Sequence, residues 1–216
     1  VMKAVKLQLA TRTLLNPAAA QWGKVLAEEL RMGATPLHLQ PSRYVRTAWA
    51  GKPMGAVRFL KVQAAHNGQD ILFRLEWPDP TQNVDHGDGS IFPDAAGILF
   101  PLNGDAPLQS MGSDQAPVNA WFWRANFPEG ETQNIISRGA GTVEQTEKSA
   151  VQARARWQDG RWQVVFARPL AADGAKAVKL AATKPAKVAF AVWDGARQER
   201  AGLKSFSKEW RELLIQ

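Results

Sequence analysis

Two pairs of segments in which apolar and polar residues alternate constrain the fold of this 216-residue chain more than any other feature. A tight turn joins the two segments of each pair. The first pair spans residues 56–77 and turns at His66-Asn67-Gly68. Its return segment places one set of apolar side chains on a single face: Ile71, Phe73, Leu75 and Trp77. The second pair spans residues 151–169 and turns at Asp159-Gly160. Because Asn-Gly and Asp-Gly readily adopt the positive φ angles of short connections, both pairs are predicted to be antiparallel β-hairpins.

The rest of the chain contains more short strands than helices. Strands are predicted at residues 95–100, 118–125 and 187–193, with a weaker one at 5–10. Residues 17–32 have the most helical composition, but a loop followed by a strand also fits them, and residues 210–215 fit a strand or a short helix. Since no β-α-β alternation is present, we expect one domain over residues 1–216, an all-β antiparallel sandwich with one or two short helices.

Composition excludes several functional classes. The chain has no cysteine, which rules out thiolate-held iron–sulfur clusters, covalently attached haem and disulfides. No run of 18 apolar residues predicts a membrane span. The net charge is +7, but the basic residues are scattered, so an acidic protein partner is favoured over nucleic acid. The first residue, Val1, fits a processed secretory protein or a trimmed chain.

Residues capable of catalysis or metal binding form no recognised motif. His38, His66 and His86 are far apart in sequence, and no zinc-protease, nucleophile-elbow, P-loop or dinucleotide signature occurs. An acidic loop, residues 85–94, has oxygen and imidazole side chains at Asp85, His86, Asp88 and Asp94 that could hold calcium. Its spacing matches no strict calcium loop, and ordinary turn chemistry is the favoured interpretation.

The nine tryptophans allow more than one interpretation. Trp121 and Trp123 lie two residues apart on a predicted strand, so they share a face with Asn119. Buried tryptophans fill a core or line a flat cofactor pocket, whereas exposed ones form platforms for sugars. Core packing is the default because tryptophan is rarely exposed, and a carbohydrate- or ligand-binding module is the alternative function.

Several segments, in the same order along the chain, resemble the haem-binding γ subunits of type II dimethyl sulfoxide reductase-family enzymes. This group includes ethylbenzene dehydrogenase, dimethyl sulfide dehydrogenase, selenate reductase and chlorate reductase. The resembling segments are residues 110–125 (SMGSDQAPVNAWFWRA), residues 188–195 (VAFAVWDG), Glu199-Arg200, residues 204–207 (KSFS), Trp210, residues 75–79 (LEWPD) and residues 92–96 (FPDAA).

The resemblance implies a sandwich that encloses one non-covalent haem b, with iron held by a methionine and a lysine. The matching positions are Met111 and Lys204. Without the resemblance, Met111 would be assigned to packing and Lys204 to the solvated surface. With it, both are predicted axial ligands, and Asn119, Trp121, Trp123 and Arg124 are predicted pocket residues, Arg124 as a partner for a haem propionate.

The implied function is electron transfer rather than catalysis. Two protein ligands leave no open coordination position on the iron, so the chain is not expected to be an enzyme by itself. The resemblance implies a periplasmic complex with an iron–sulfur β subunit, a molybdopterin α subunit and a soluble carrier such as a c-type cytochrome. A free-standing hydrolase is disfavoured because no convincing nucleophile or acid–base pair is present.

Overall fold

The structure, a computed structural model, describes residues 1–87 and 89–216. Within this range the regular secondary structure is mostly strand, with helices of at most seven residues. The strands are β1 Met2–Lys6, β2 Glu28–Arg31, β3 Gly33–Ala34, β4 Phe59–His66, β5 Asp70–Pro78, β6 Ala95–Pro101, β7 Val118–Arg124, β8 Gln133–Ser137, β9 Val143–Gln145, β10 Gln152–Gln158, β11 Arg161–Pro169, β12 Pro185–Trp193, β13 Ser205–Phe206 and β14 Arg211–Ile215. The α-helices are α1 Thr11–Leu15 and α2 Arg43–Trp49, and 3-10 turns span Ala20–Lys24, Leu37–Leu39 and Gly195–Arg197.

The strands form two packed layers that share β12. One layer has the order β10-β11-β5-β4-β1-β14, and the other has the order β12-β6-β7-β8-β9. The first half of β12 pairs with β14 and its second half pairs with β6, so this strand passes from one layer into the other. The predicted all-β sandwich with short helices is therefore confirmed.

Both predicted hairpins are present, although in the first turn Gly68 has a positive φ angle, of 89°, and Asn67 does not. Strands β4 and β5 pair with His66 opposite Ile71, and β10 and β11 pair with Gln158 opposite Arg161. In the second turn Asp159 and Gly160 have φ angles of 53° and 71°, the left-handed pair that a two-residue hairpin requires. The alternation and the turn residues in these segments therefore predict both hairpins.

The sandwich is not purely antiparallel, because β1 pairs in parallel with both β4 and β14. Such pairing depends on contacts between the two ends of the chain, which local sequence patterns do not report. The strand also begins earlier than predicted, at Met2 rather than at residue 5. Residues 210–215 contain β14 rather than a helix, which resolves one of the two open alternatives.

Residues 17–32 form a 3-10 turn and then β2, the loop-plus-strand alternative rather than one helix. Tertiary contacts decide this, because Trp22 and Val25 are buried against the outer face of the first layer. The Gln63 side-chain amide donates to the carbonyls of both residues, at 2.8 and 2.9 Å. No helix among the described residues is long and apolar enough to cross a membrane.

Large aromatic side chains fill the space between the two layers. The Phe73 ring lies 6.1 Å from Trp121 and 6.0 Å from Phe190, while Phe100 lies 4.7 Å from Trp121, measured between ring centroids. The opposite, outer face of the second layer has smaller side chains at Ala95, Gly97, Ala120 and Ala191. This outer face is the floor of an apolar cavity that Met111 and Lys204 also line.

Candidate functional site

A cavity of about 600 Å³ lies on the outer face of the second layer, covered by loops from five parts of the chain. Its floor comes from alternate residues of β6 and β7: Ala95, Gly97, Leu99, Ala120, Phe122 and Arg124. A Cβ atom at Gly97 would be at ordinary contact distance from the Trp121 carbonyl oxygen and the Trp193 ring, at 3.4 and 3.5 Å. The cavity is largely apolar, and its volume is typical of a cofactor pocket.

Met111 lines this cavity and has an unusual backbone conformation. Its φ angle is 59°, a left-handed value that is uncommon for residues other than glycine. Three backbone interactions hold it there: its N–H donates to Leu108, and its carbonyl accepts from the Ser137 hydroxyl at 2.7 Å and from the Gly139 N–H at 3.1 Å. Conformations of this kind cost about 1–3 kcal/mol and cluster at ligand sites. A packing role alone does not require this constraint.

Gly112, the next residue, explains part of the local geometry. Its φ angle is 91°, and an added Cβ atom would lie 2.6 Å from the carbonyl oxygen of Ser137. Only glycine therefore allows the loop before β7 to pack this closely against the end of β8. The close contact positions Met111 at the wall of the cavity.

Lys204 also lines the cavity and is only 4% exposed. Among the described residues its ammonium group has no hydrogen bond or salt bridge. Its Nζ atom lies over the Trp193 ring, 5.2 Å from the ring centroid. Burial lowers the pKa of Lys204 to about 8. An enclosed, unpaired lysine is costly unless the amine is neutral or a ligand binds it.

The carboxylate on the cavity wall does not act as a counter-ion for this lysine. Glu199 lines the cavity, but its two oxygens accept the backbone N–H groups of Asp194, Gly55 and Ala56 at 2.9–3.1 Å. Burial raises the pKa of Glu199. The Lys204 amine is thus available to a ligand rather than committed to an ion pair.

Two arginines add positive charge to the cavity wall. The Nε atom of Arg124 is buried without a hydrogen-bond partner, and burial lowers the pKa of this guanidinium. Arg200 also lines the cavity, with its guanidinium carbon 4.6 Å from the centroid of the Phe92 ring. Guanidinium groups with free donors favour carboxylate partners.

Three predicted pocket residues lie elsewhere. Trp121 and Trp123 face the core between the layers, and Asn119 is buried in hydrogen bonds to Asn134, Ile135 and Val178. Because successive residues of a strand point to opposite faces, the side that contains Arg124 contains Ala120 and Phe122 instead. Asn119, Trp121 and Trp123 therefore do not line this cavity, which lies outside the sandwich core, and their predicted role in a haem pocket stays a prediction.

The alternation of side chains along β7 could have shown from the sequence that Arg124 and the two tryptophans lie on opposite faces. Arg124 and Trp123 are adjacent in an extended strand and cannot line the same face. The contributions of Trp193, Arg200 and the 35–45 segment could not be found in this way, because they come from distant parts of the chain.

Among the described residues, the histidines and the acidic loop do not come together in one site. His38 is exposed, and His66 is buried with its Nε2 bonded to the carbonyl of Gln216 and its Nδ1 accepting from Gly68. His86 lies at the cavity but is exposed to solvent. In the acidic loop, Asp85 is exposed and Asp94 fully buried, while Asp88 lies outside the described residues.

The side chains that line the cavity fit a haem. A thioether, a buried amine without a partner and a guanidinium with a free donor lie on one apolar cavity. Thioether and neutral amine are both iron ligands, and the guanidinium suits a propionate. The Lys204 amine and the Arg124 Nε atom have no hydrogen-bond partner among the described residues, so both are free to bind a cofactor. Met111 has a strained backbone conformation at the cavity wall.

Solved structures with a similar fold are carbohydrate-binding proteins. A family 9 carbohydrate-binding module from Caldicellulosiruptor kristjanssonii, in complex with glucose, aligns with a TM-score of 0.52 at 8% identity, covering 100% of this chain and 95% of the module. A candidate carbohydrate-binding protein from Bacteroides uniformis aligns with a TM-score of 0.52 at 12% identity, covering 100% and 97%. At this level of identity the similarity shows the fold alone.

Sequence relatives are far closer. The chain is 36% identical over 196 residues to a candidate haem subunit of a respiratory nitrate reductase from Haloferax mediterranei, covering 90% of the chain and 66% of that protein. It is 34% identical to the chlorate reductase subunit gamma of Ideonella dechloratans (96% and 82% covered). It is also 34% identical to the dimethylsulfide dehydrogenase subunit gamma of Rhodovulum sulfidophilum (70% and 58% covered). The chain thus spans only about two thirds or less of the first and third relatives.

A family model described as ethylbenzene dehydrogenase matches residues 19–144 and 131–205, well over half of the chain. The match includes the loop with Met111 and the segment with Lys204, and it agrees with the γ and haem subunits among the relatives. The chain therefore belongs to the ethylbenzene dehydrogenase family, as its sequence predicted.

Proposed function

We propose that this chain is the haem b-binding, electron-transferring γ subunit of a periplasmic molybdenum oxidoreductase. One observation supports this most strongly. Met111 and Lys204, 93 positions apart by their residue numbers, line a single cavity, and Lys204 is buried there without a hydrogen-bond or ionic partner among the described residues. A surface lysine, which the local sequence favours, would not have this environment.

The two side chains would hold the iron from different loops. Lysine binds iron only as the neutral amine, and at an ordinary pKa near 10.4 its deprotonation at pH 7 costs roughly 5 kcal/mol. With the pKa lowered to about 8 by burial, this cost falls to roughly 1–2 kcal/mol, so folding prepares the amine for binding. The constrained Met111 backbone similarly fixes the point from which this side chain enters the cavity before the cofactor arrives.

Bound haem b would supply one-electron transfer. If Met111 and Lys204 both held the iron, no coordination position would remain for oxygen or substrate, as expected for a non-catalytic subunit. Arg124 and Arg200 would orient the haem by binding its propionates. The apolar floor formed by Ala95, Leu99 and Ala120 would exclude water from the bound haem.

The proposed partners follow from the family. Relatives named as γ or haem subunits belong to chlorate reductase, dimethylsulfide dehydrogenase and nitrate reductase. We therefore infer an iron–sulfur β subunit and a molybdopterin α subunit as partners, with a soluble periplasmic carrier such as a c-type cytochrome. The absence of cysteine from this chain is consistent with clusters that reside in another subunit.

A sugar-binding role has less support despite the shared fold. All nine tryptophans are buried or half-buried, so they offer no exposed platform. Trp121 is completely enclosed by the core and Trp123 is 6% exposed.

The deciding experiment is purification of the protein from its native host, followed by an absorption spectrum and acid–acetone extraction. We expect sharp reduced bands, one haem per chain and transfer of the haem to the organic phase. A colourless protein, or haem that stays with the polypeptide, would contradict the proposal. A colourless protein that binds glucose oligomers in calorimetry would support the sugar-binding module instead.

A further inference from the structure

Three aspartates from both layers of the sandwich meet outside the haem cavity. Asp79 follows β5, Asp94 precedes β6 and Asp194 follows β12. One carboxylate oxygen of each lies within 4.8 Å of those of the other two. The residues are 1%, 0% and 8% exposed, respectively, so this is a buried cluster rather than a surface acidic patch.

The backbone holds these carboxylates close together. Asp94 accepts hydrogen bonds from the Asn83 N–H, the Trp162 indole and the Gly195 N–H, each at 2.9 Å. A Cβ atom at Gly195 would lie 2.0 Å from the Phe92 carbonyl oxygen, so only glycine allows the 194–195 turn to approach Asp94 this closely.

The cluster has too little positive charge around it. None of the three carboxylates forms a salt bridge within residues 1–87 and 89–216, and the Oδ2 atom of Asp79 is fully enclosed without a hydrogen-bond donor there. Burial and the charge of Asp94 raise the pKa of Asp79 to about 8, and the same two causes raise that of Asp194. Arg197 offsets this only at Asp194. An enclosed carboxylate oxygen without a donor indicates a missing cation or a shared proton.

Unused lone pairs indicate what the cluster can bind. Asp79 Oδ1 accepts from the Thr81 N–H and Asp194 Oδ1 accepts from the Ala196 N–H, which leaves the Oδ2 atom of each without a recorded hydrogen bond. Asp94 Oδ1 accepts only one bond and retains a second acceptor position. The available ligands are therefore all carboxylate oxygens, with no nitrogen or sulfur among the three residues.

We propose that Asp79, Asp94 and Asp194 form a calcium site that joins the two layers of the sandwich. Calcium accepts six to eight oxygen ligands in flexible geometry, and water can complete the shell beside Asp194, the most exposed of the three. Magnesium is less suitable, because it requires near-octahedral geometry at shorter distances.

The site would also stabilise one wall of the haem cavity. Asn83 and Asp94 delimit the loop that contains Phe92 and Pro93, and both of these residues line the cavity. Calcium would therefore fix this loop through Asp94, while the site itself does not depend on a bound haem.

The test is a calcium titration of the complete chain after treatment with a chelator, at pH 8, followed by thermal unfolding and calorimetry. We expect one calcium per chain and a rise in Tm of about 5 °C at 100-fold excess over Kd. Asp79→Asn and Asp194→Asn should each abolish the rise, and Asp194→Asn, at the most exposed position, serves if the first variant does not fold. Asp173→Asn, at an exposed position, should retain the rise.

A different result would identify a shared proton rather than a metal. In that case calcium would leave Tm unchanged and calorimetry would detect no calcium binding. Asp79→Asn would instead raise Tm at pH 8 without calcium. An equal rise with magnesium and calcium, retained in both variants, would reflect non-specific ionic effects and would also overturn the proposal.

Discussion

The Nζ atom of Lys204 lies 5.2 Å from the centroid of the Trp193 ring, inside a cavity that also contains Met111. Trp193 is itself fixed, because its indole N–H donates to the Ala201 carbonyl at 2.9 Å and its ring meets Phe122 edge-on at 5.2 Å. An aromatic face stabilises a cation by about 0.5–2 kcal/mol, which is small beside the cost of burying an unpaired ammonium. The arrangement therefore favours an amine that can lose its proton to bind a metal.

Lys204→Ala should open one coordination position on the haem iron. We expect the low-spin electron paramagnetic resonance signal of the oxidised protein to change to high spin, and the reduced protein to bind carbon monoxide. Lys3→Ala removes an exposed lysine and is the matched control, with no spectral change and a stability change below about 0.5 kcal/mol.

A Lys204→Ala protein that keeps the parent's low-spin signal and excludes carbon monoxide would remove this residue from the site. His86, the histidine that lines the cavity, would then be the next candidate ligand. His66 is a poorer candidate, because both of its ring nitrogens already have backbone partners.

Met111→Leu should remove the sulfur while preserving most of the side-chain volume. Swaps of this kind usually cost less than about 1.5 kcal/mol, so the haem-free protein should unfold at nearly the parent's temperature. The reduction potential should fall, because a thioether favours ferrous iron, and redox titration measures this. Met54→Leu, at a half-buried position away from the cavity, should leave the potential unchanged. Equal potentials in parent and Met111→Leu would contradict the proposed ligation.

Arg124→Gln should weaken haem retention. A hydrogen bond to a charged group contributes about 1.5–3 kcal/mol, so losing the proposed propionate contact should raise the haem dissociation rate at least about tenfold. Haem transfer to an excess of apomyoglobin measures this rate. Arg156→Gln, on the exposed side of β10, is the control. Identical transfer rates for parent and Arg124→Gln would show that Arg124 does not hold the haem.

Local patterns predicted the elements of this fold better than their connections. The hairpins at Asn67-Gly68 and Asp159-Gly160 were predictable, because turn chemistry and alternation are encoded within about ten residues. The parallel placement of β1 was not, since it depends on β14 at the other end of the chain. The helical composition of residues 17–32 was overridden by the burial of Trp22 and Val25.

The site shows the same division between local and distant information. Composition around Lys204 indicates a surface residue, and its burial results from β13, which pairs with β12 and β3. Only resemblance to the family identified Lys204 and Met111 together. Strand alternation would have shown without any structure that Trp121 and Trp123 cannot share a face with Arg124.

The stability of the haem-free protein should increase as pH rises from about 8 to 10.5, and Lys204 should be the cause. Burial lowers the pKa of Lys204 from 10.5 to about 8, so below pH 8 both folded and unfolded chains are protonated and the burial penalty is fully present. Between these values the folded state has released the proton and the unfolded state has not, so the free energy of unfolding rises with pH. The full change is roughly 3 kcal/mol for a shift of this size. Urea unfolding of parent and Lys204→Met at pH 7.5 and 10 measures it, because methionine fills a similar volume without titrating. If the parent and the variant show the same pH dependence, Lys204 is not a buried titrating amine in the folded chain, and the proposed preparation of this ligand by burial is incorrect.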